Sequence, residues 1–169
     1  IGAVFHPGTV VLNANRIEAG EDFEFYRSMT PSVTRFLEII DRERLSVARA
    51  FGVDLDSARE WLQRSYERVV GDTLHERIHS NPAYEGIKAP KSLGVRHLLE
   101  DVPTGLVPLA SFGALAGVPT PACRAVIDIS CGLLDRDFCV EGRNARSLGL
   151  SGMSVEQIRE FVSIGVRAL

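Results

Sequence analysis

The sequence has little of several features that mark particular classes of protein. It contains three cysteines in 169 residues and no CxxC pair, which argues against a disulfide framework and a cysteine-based zinc site. Its net charge is −3 and its basic residues are scattered, so it lacks the clustered positive charge of a nucleic-acid-binding surface. No apolar run approaches the roughly 20 residues that span a bilayer, so no membrane segment is predicted.

The start of the chain lacks the features of a targeting segment. It begins at Ile1 in an apolar stretch that has no basic region and no small-residue cleavage site, so it is not a signal peptide. Unpaired cysteines are typical of a reducing compartment, and we therefore predict a cytoplasmic protein. We also expect that an amino-terminal part of the natural protein precedes Ile1.

The sequence also lacks the alternation of apolar and polar residues that indicates a half-buried strand. The chain has no glycine-rich loop after a strand, so the sequence argues against a lone nucleotide-binding domain. Apolar residues recur instead at steps of three and four, and the 45% hydrophobic content suits one sizeable core. We predict one all-α domain over residues 1–169, a bundle of about seven helices.

Cap residues predict where several helices begin. Thr30 and Pro31 open a long helix that ends near Gly52, because a threonine hydroxyl accepts an orphan N–H and proline is tolerated in the first turn. Three pairs have the spacing of a capping box: Ser57 with Glu60, Thr73 with Glu76 and Ser154 with Gln157.

Prolines and glycines predict where other helices stop or restart. We expect the helix after Ser57 to end at Gly71. Pro108 should kink or restart the helical run from Arg96 to Ala116. Thr120 is expected to cap the helix that begins at Pro121.

The stretch HERIH has the spacing of a helical zinc motif. His75 and His79 are four residues apart, and Glu76 directly follows the first histidine. However, the helix soon meets Asn81-Pro82, and no third ligand stands at a known downstream spacing. We therefore interpret this stretch as a solvated polar helix and predict no metal site.

His6 lies in the strongly apolar segment AVFHPGTVVLNANRI. It is either a core histidine bonded to backbone or an acid–base group that works near neutral pH. Pro7 can open a helix directly after it. In such a helix Asn13 would lie one heptad on from His6, on nearly the same face.

The segment RHLLED contains an arginine and two acids. Arg96 and Asp101 are five residues apart and do not share a helix face. Glu100 is the better surface partner of Arg96, in a pair worth only ~0.3–0.5 kcal/mol, which leaves Asp101 for another partner. Taken alone, the segment is best interpreted as a solvated helix face.

Four stretches together resemble the helical carboxy-terminal domain of the opine dehydrogenases: FHPGTVVLNANRIEAG, NPAYEGI, RHLLEDVPTGLVPLASFGALAGVPTP and GRNARSLGLSG. This family includes octopine and nopaline dehydrogenases and the bacterial carboxyethyl-norvaline dehydrogenase, which the chain resembles most. The resemblance covers nearly the whole chain in order.

The resemblance implies a fold and a reaction. The fold is a bundle similar to the carboxy-terminal domain of 6-phosphogluconate dehydrogenase, preceded by a Rossmann domain that binds NAD or NADP. Substrates would meet in the cleft between the two domains. The reaction would join the amino group of an amino acid to a 2-oxo acid such as pyruvate and reduce the resulting imine to an opine.

The resemblance also implies roles for particular residues. The catalytic histidine falls on His6, its carboxylate partner on Asp101, and the arginine that binds a substrate carboxylate on Arg96. We add the hypothesis that Asn13 hydrogen-bonds substrate or orients the site, against the alternative of a satisfied amide in helix packing. His97 is assigned no role.

Two other functions stay open. One is the helical domain of a related dehydrogenase that acts on a 2-hydroxy acid, because a fold does not fix a reaction. The other is a non-catalytic helical module for dimerisation or ligand binding. A homodimer is compatible with either, since exposed helical faces can pair.

Overall fold

Ten α-helices lie within residues 1–165, which are the residues that this computed structural model describes. They are α1 (Gly2–Val11), α2 (Ala14–Glu18), α3 (Pro31–Ala50), α4 (Ala58–Ser65), α5 (Leu74–Ser80), α6 (Arg96–Leu99), α7 (Val107–Leu115), α8 (Pro121–Leu134), α9 (Phe138–Glu141) and α10 (Val155–Ile164). A 3₁₀ turn covers Pro82–Tyr84 and a π-helical turn covers Val102–Leu106. Over the same residues no strand is formed, and one isolated bridge joins Glu24 to Lys88.

The predicted all-α fold is therefore confirmed, with more and shorter helices than the seven expected. The predicted domain runs to residue 169, and residues 166–169 lie outside the described part. No helix within residues 1–165 combines the length and the apolar character needed to cross a membrane.

The longest helix, α3, begins where the sequence predicts. The Thr30 hydroxyl accepts a hydrogen bond from the backbone N–H of Val33, and Pro31 occupies the first helical position. All three predicted capping boxes are present, at Ser57, Thr73 and Ser154. These starts were predictable because a cap and the N–H groups that it satisfies lie within one turn.

Two helix boundaries differ from the prediction. Helix α1 begins at Gly2 and contains Pro7, so Pro7 does not open a helix after His6. Helix α4 ends at Ser65 rather than at Gly71. The chain turns there through Arg68, whose φ is 67°, and this turn places Val69 in the core.

The run after Arg96 is divided as its two prolines allow. It forms α6, then the π-helical turn, then α7, and Pro108 lies in the first turn of α7. The helical run changes from π-helical to α-helical at Val107, one residue before Pro108, and the backbone keeps helical angles through Leu106 and Val107.

The start of α8 is capped differently from the prediction. Thr120 precedes Pro121, but its side chain forms no capping hydrogen bond. The carboxylate of Glu43, on α3, accepts hydrogen bonds from the N–H groups of Ala122 at 2.8 Å and Cys123 at 2.9 Å. Glu43, which is distant in sequence, therefore caps α8 in place of Thr120, and its negative charge complements the dipole of α8.

Helix α1 packs against α3, α6, α8 and the π-helical turn. Its side chains Val4, Phe5 and Val10 are fully buried. The π-helical turn approaches α1 so closely that a Cβ atom added at Gly105 would lie 2.5 Å from the Cβ of Ala3. This packing brings the middle of α1 beside the chain that follows α6.

Candidate active site

His6 and Asp101 form a hydrogen-bonded pair across 95 residues of sequence. Nδ1 of His6, in the middle of α1, lies 2.8 Å from Oδ2 of Asp101, at the junction of α6 and the π-helical turn. The two side chains are 13% and 24% exposed, so the pair lies at the edge of the core. The contact expected between them is present.

Gly2 makes room for this pair. It lies one helical turn before His6, and a Cβ atom added there would be 3.0 Å from Oδ1 of Asp101 and 3.2 Å from Nδ1 of His6. Any larger residue would press on the carboxylate or on the ring. The sequence offered no sign of this role, because it depends on a residue a hundred positions away.

The second nitrogen of His6 is also engaged. Its Nε2 lies 2.9 Å from the hydroxyl oxygen of Tyr26, which belongs to the loop between α2 and α3. Burial raises the pKa of Tyr26 to about 12, so the group is a neutral phenol at physiological pH. Sequence reasoning missed Tyr26, whose segment FEFYRS carries no pattern that links it to His6.

His97 is the nearest other titratable ring. Its ring centroid lies 4.6 Å from that of His6, and its other face stacks on Phe25 at 4.9 Å. Burial, the nearby His6 and the charge of Arg96 lower the pKa of His97 to about 4, so it is neutral near pH 7. Its Nδ1 atom is buried and has no hydrogen-bond partner within the described residues.

Arg96 supplies a positive charge beside this cluster. It is the first residue of α6, and its side chain is exposed and makes no hydrogen bond or ion pair with residues 1–165. Its charge acts on both His97 and Tyr26. The surface pair considered with Glu100 does not form, so the guanidinium keeps all its donors available.

The sequence suggested that Asn13 shares a helix with His6, but the structure places Asn13 outside that helix. It lies between α1 and α2, where it is the N-cap residue of α2. Its amide nitrogen donates to the carbonyl of Thr9 at 2.9 Å, and its amide oxygen accepts from Arg16 at 3.1 Å. None of these bonds involves the His6 pair, and the substrate-binding role of Asn13 stays a prediction.

The HERIH stretch forms the short helix α5 and is used in packing. Both ring nitrogens of His79 lie 2.9 Å from backbone carbonyls, those of His75 and Arg27. The carboxylate of Glu76 is the acceptor of the capping box with Thr73. Among residues 1–165, no group of three or more histidine, cysteine or acidic side chains is arranged to hold a metal ion.

Comparison with known families places this chain in a class of dehydrogenase domains. The family described as "NAD/NADP octopine/nopaline dehydrogenase, alpha-helical domain" matches residues 1–134. The chain belongs to this family, as its resemblance to the opine dehydrogenases predicted.

Curated relatives agree with this assignment. An opine dehydrogenase from Arthrobacter sp. (strain 1C) is 44% identical over 163 residues, which are 96% of this chain and 45% of that protein. The protein ocs of Agrobacterium tumefaciens (strain Ach5) is 27% identical over 157 residues, which are 92% of this chain and 44% of that protein. The chain therefore spans less than half the length of these two relatives.

Solved structures share the fold. Octopine dehydrogenase with NADH and L-arginine matches with a TM-score of 0.74 and 20% identity, over 93% of this chain and 46% of that one. Octopine dehydrogenase with NADH and pyruvate matches with a TM-score of 0.74 and 18% identity, over 99% of this chain and 47% of that one. At this identity the likeness confirms the helical fold.

Proposed function

We propose that this chain is the substrate-binding and catalytic domain of an NAD(P)-dependent opine dehydrogenase. The reaction is the reductive condensation of an amino acid with a 2-oxo acid such as pyruvate. The observation that carries the proposal is the His6–Asp101 pair together with the guanidinium of Arg96, which has no partner within residues 1–165, in a chain of this family. The octopine dehydrogenase structures with L-arginine and with pyruvate support these two classes of substrate.

His6 is assigned the proton transfer. Addition of the amine to the oxo group gives a carbinolamine, and its hydroxyl must be protonated before it leaves as water and the imine forms. The protonated form of His6, the imidazolium, donates that proton and becomes the neutral imidazole, and Asp101, at 2.8 Å from Nδ1, stabilises the imidazolium before the transfer.

Arg96 is assigned the carboxylate of the oxo acid. A guanidinium presents a planar fork of donors that matches a carboxylate in two-pronged geometry. The donors of Arg96 are free for such a ligand, because they form no bond with residues 1–165. A 2-oxo acid whose carboxylate is bound by Arg96 would present its oxo carbon to His6.

The nicotinamide cofactor, NADH or NADPH, would supply the hydride that reduces the imine. Residues 1–165 contain no βαβ unit, which is the setting that binds dinucleotide phosphates, so they do not form the cofactor site. We propose that an amino-terminal Rossmann domain of the full-length protein holds the cofactor, and that the substrates meet between the two domains.

The cellular setting is part of the proposal. The three cysteines are free, which supports a reducing, cytoplasmic location. The exposed apolar side chains of Val162 and Ile164 on α10 support a homodimer. Sedimentation of the full-length protein tests the second point, and a single species of monomer mass would contradict it.

The activity is tested with purified full-length protein, pyruvate, a panel of amino acids, and either NADH or NADPH. We expect oxidation of the cofactor only when the amino acid and the oxo acid are both present. Mass spectrometry should then find the secondary-amine product. Turnover with pyruvate alone would instead identify a 2-hydroxy-acid dehydrogenase, and no turnover with any pair would favour a non-catalytic module.

A further inference from the structure

We infer that Tyr26 is a positioning residue for His6. The hydroxyl of Tyr26 donates a hydrogen bond to Nε2 of His6 and stabilises the neutral imidazole. Tyr26 and Asp101 would then act on opposite nitrogens and in opposite senses, since the carboxylate stabilises the imidazolium. The inference rests on the proposed role of His6 in proton transfer.

The directions of the two hydrogen bonds follow from the chemistry of the partners. An ionised Asp101 can only accept, so Nδ1 of His6 carries a hydrogen and the lone pair of the neutral ring is on Nε2. The Tyr26 hydroxyl at 2.9 Å must therefore be the donor to Nε2. Within residues 1–165, that hydroxyl forms no other hydrogen bond. When His6 is protonated, Nε2 carries a hydrogen and can no longer accept the hydrogen bond from the Tyr26 hydroxyl.

The ring of Tyr26 is held in place by other aromatic rings. It stacks on Tyr84 with centroids 3.9 Å apart and planes 10° apart, and it meets Phe25 edge-on at 5.1 Å. The residue is 9% exposed. Because burial raises the pKa of this phenol to about 12, the hydroxyl keeps its proton over the working range of an enzyme. Tyr26 is thus a fixed donor.

Few other charges act on His6. Asp101 faces it directly, His97 beside it is neutral near pH 7, and Arg96 stands on the same segment as His97. The α-amino group of Ile1 interacts with Asp101.

Helix α3 also packs against α1. It presents the apolar side chains of Phe36, Leu37 and Ile40 beside Gly8. Its charged residues Asp41 and Arg44 act on the α-amino group of Ile1, at the start of α1. The buried side chains of α8 and the π-helical turn are uncharged. Within residues 1–165, the hydrogen bond from Tyr26 is the one direct contact to a ring nitrogen of His6 that opposes the effect of Asp101.

The test is the replacement Tyr26→Phe in the full-length protein, with Tyr84→Phe as the matched control. Loss of the hydrogen bond to the neutral ring should raise the proton affinity of His6 about threefold to tenfold, as expected for one such bond. In the reductive direction the alkaline limb of the pH–rate profile should move to higher pH. In the oxidative direction the acid limb should move the same way. Tyr84→Phe removes a hydroxyl from the same stack and should move neither limb.

A second variant changes the bond while it preserves the packing. Replacement of Tyr26 by 3-fluorotyrosine gives a more acidic phenol and a stronger donor, so the proton affinity of His6 should fall. The titration is read directly by NMR of histidine-labelled protein, with the His6 signal assigned by its absence in His6→Gln. This variant decides the question if Tyr26→Phe does not fold.

Opposite shifts in the two Tyr26 variants, with none in Tyr84→Phe, would support the inference. An unchanged or lowered proton affinity in Tyr26→Phe, or an unchanged one with 3-fluorotyrosine, would overturn it. The NMR titration needs no substrate, so it can fail or succeed independently of the proposed function. A protein that shows the shifts but makes no opine would contradict the proposed function and leave the role of Tyr26 intact.

Discussion

Asp41 and Glu43 on α3 are hydrogen-bonded through both carboxylate oxygens, whereas Asp101 beside α6 is bonded through one. Asp41 accepts from the N–H of Ala58 at 2.7 Å and from Arg44 at 2.8 Å, and Glu43 holds the first turn of α8. These two residues are 4% and 8% exposed. The side chain of Asp101 is 24% exposed, and within residues 1–165 its one hydrogen bond is to His6.

The arginines differ in the same way. Arg44 is bonded to Asp41 and to the backbone carbonyl of Asp56, while Arg96 has no partner within residues 1–165. Charges that hold the fold together are satisfied inside it, because an unpaired buried charge is strongly destabilising. In the candidate site, the guanidinium of Arg96 and one carboxylate oxygen of Asp101 form no hydrogen bond within residues 1–165, so they can still bind a ligand. Substitutions in the two regions should therefore separate stability from activity.

The largest effect on activity is expected from His6→Gln. Loss of a positioned acid should lower kcat about 10²- to 10⁴-fold, while the free energy of unfolding changes by no more than about 1 kcal/mol. Turnover of the full-length enzyme at saturating substrate and urea unfolding measure the two quantities. A variant that keeps wild-type kcat would remove His6 from the mechanism.

The largest effect on stability is expected from Glu43→Gln. One N–H at the start of α8 would face an amide NH₂ and the negative charge at the helix end would be lost, so the free energy of unfolding should fall by about 2–3 kcal/mol. The kcat of the folded protein should not change. Glu38→Gln on the same helix is the control, and equal urea midpoints for the two variants would show that the cap contributes nothing.

Arg96→Lys should raise the KM for the oxo acid roughly 10- to 100-fold, because an ammonium cannot form the two-pronged contact with a carboxylate. The KM for the amino acid should change much less. Arg44→Lys, in the α3 cluster, provides the contrast: it should lower the urea midpoint and leave both KM values as they are. Steady-state kinetics with each substrate varied in turn measures these KM values. An unchanged KM for the oxo acid in Arg96→Lys would exclude the assignment of Arg96 to its carboxylate.

Asn13→Ala should lower the free energy of unfolding by about 1 kcal/mol, because the side-chain hydrogen bonds of Asn13 to the carbonyl of Thr9 and to Arg16 are lost. Turnover and both KM values should stay unchanged, since the amide is satisfied within the protein. An increase in either KM would instead favour the hypothesis that Asn13 binds substrate.

The smallest effect is expected from His97→Phe, and it appears only as a change in pH dependence. The pKa of His97 is lowered to about 4 in the folded protein, against an ordinary value of about 6.5. As the pH falls between these two values, the unfolded chain binds a proton at this histidine and the folded protein does not, so the free energy of unfolding falls. His97→Phe should make that fall shallower. Urea midpoints at about pH 7 and about pH 5 check this, and parallel curves for the two proteins would contradict it.

Local features of the fold could be predicted from the sequence. The starts of α3, α4, α5 and α10 were predictable because each cap lies within one turn of its partners. The start of α8 was not, because Glu43 lies 79 residues from Ala122. The start of α1 was missed for two reasons: Ile1 provides no side-chain cap, and Pro7 lies beyond the first turn, where proline is normally disfavoured.

The candidate site was only partly predictable. No local pattern connects His6 to Asp101, and their pairing was expected from family resemblance rather than from spacing. Tyr26 and Gly2 were missed, because their contacts with His6 and Asp101 exist only after α1 has packed against the segment around α6. Asn13 lies outside the helix that carries His6, because α1 ends at Val11.

The close approach of the π-helical turn to α1 restricts which residue position 105 can hold. A Cβ atom added at Gly105 would lie 2.5 Å from the Cβ of Ala3, so a larger residue there would force the two segments apart. Because α1 carries His6 and the turn begins beside Asp101, that movement would also lengthen the 2.8 Å contact between Nδ1 of His6 and Oδ2 of Asp101.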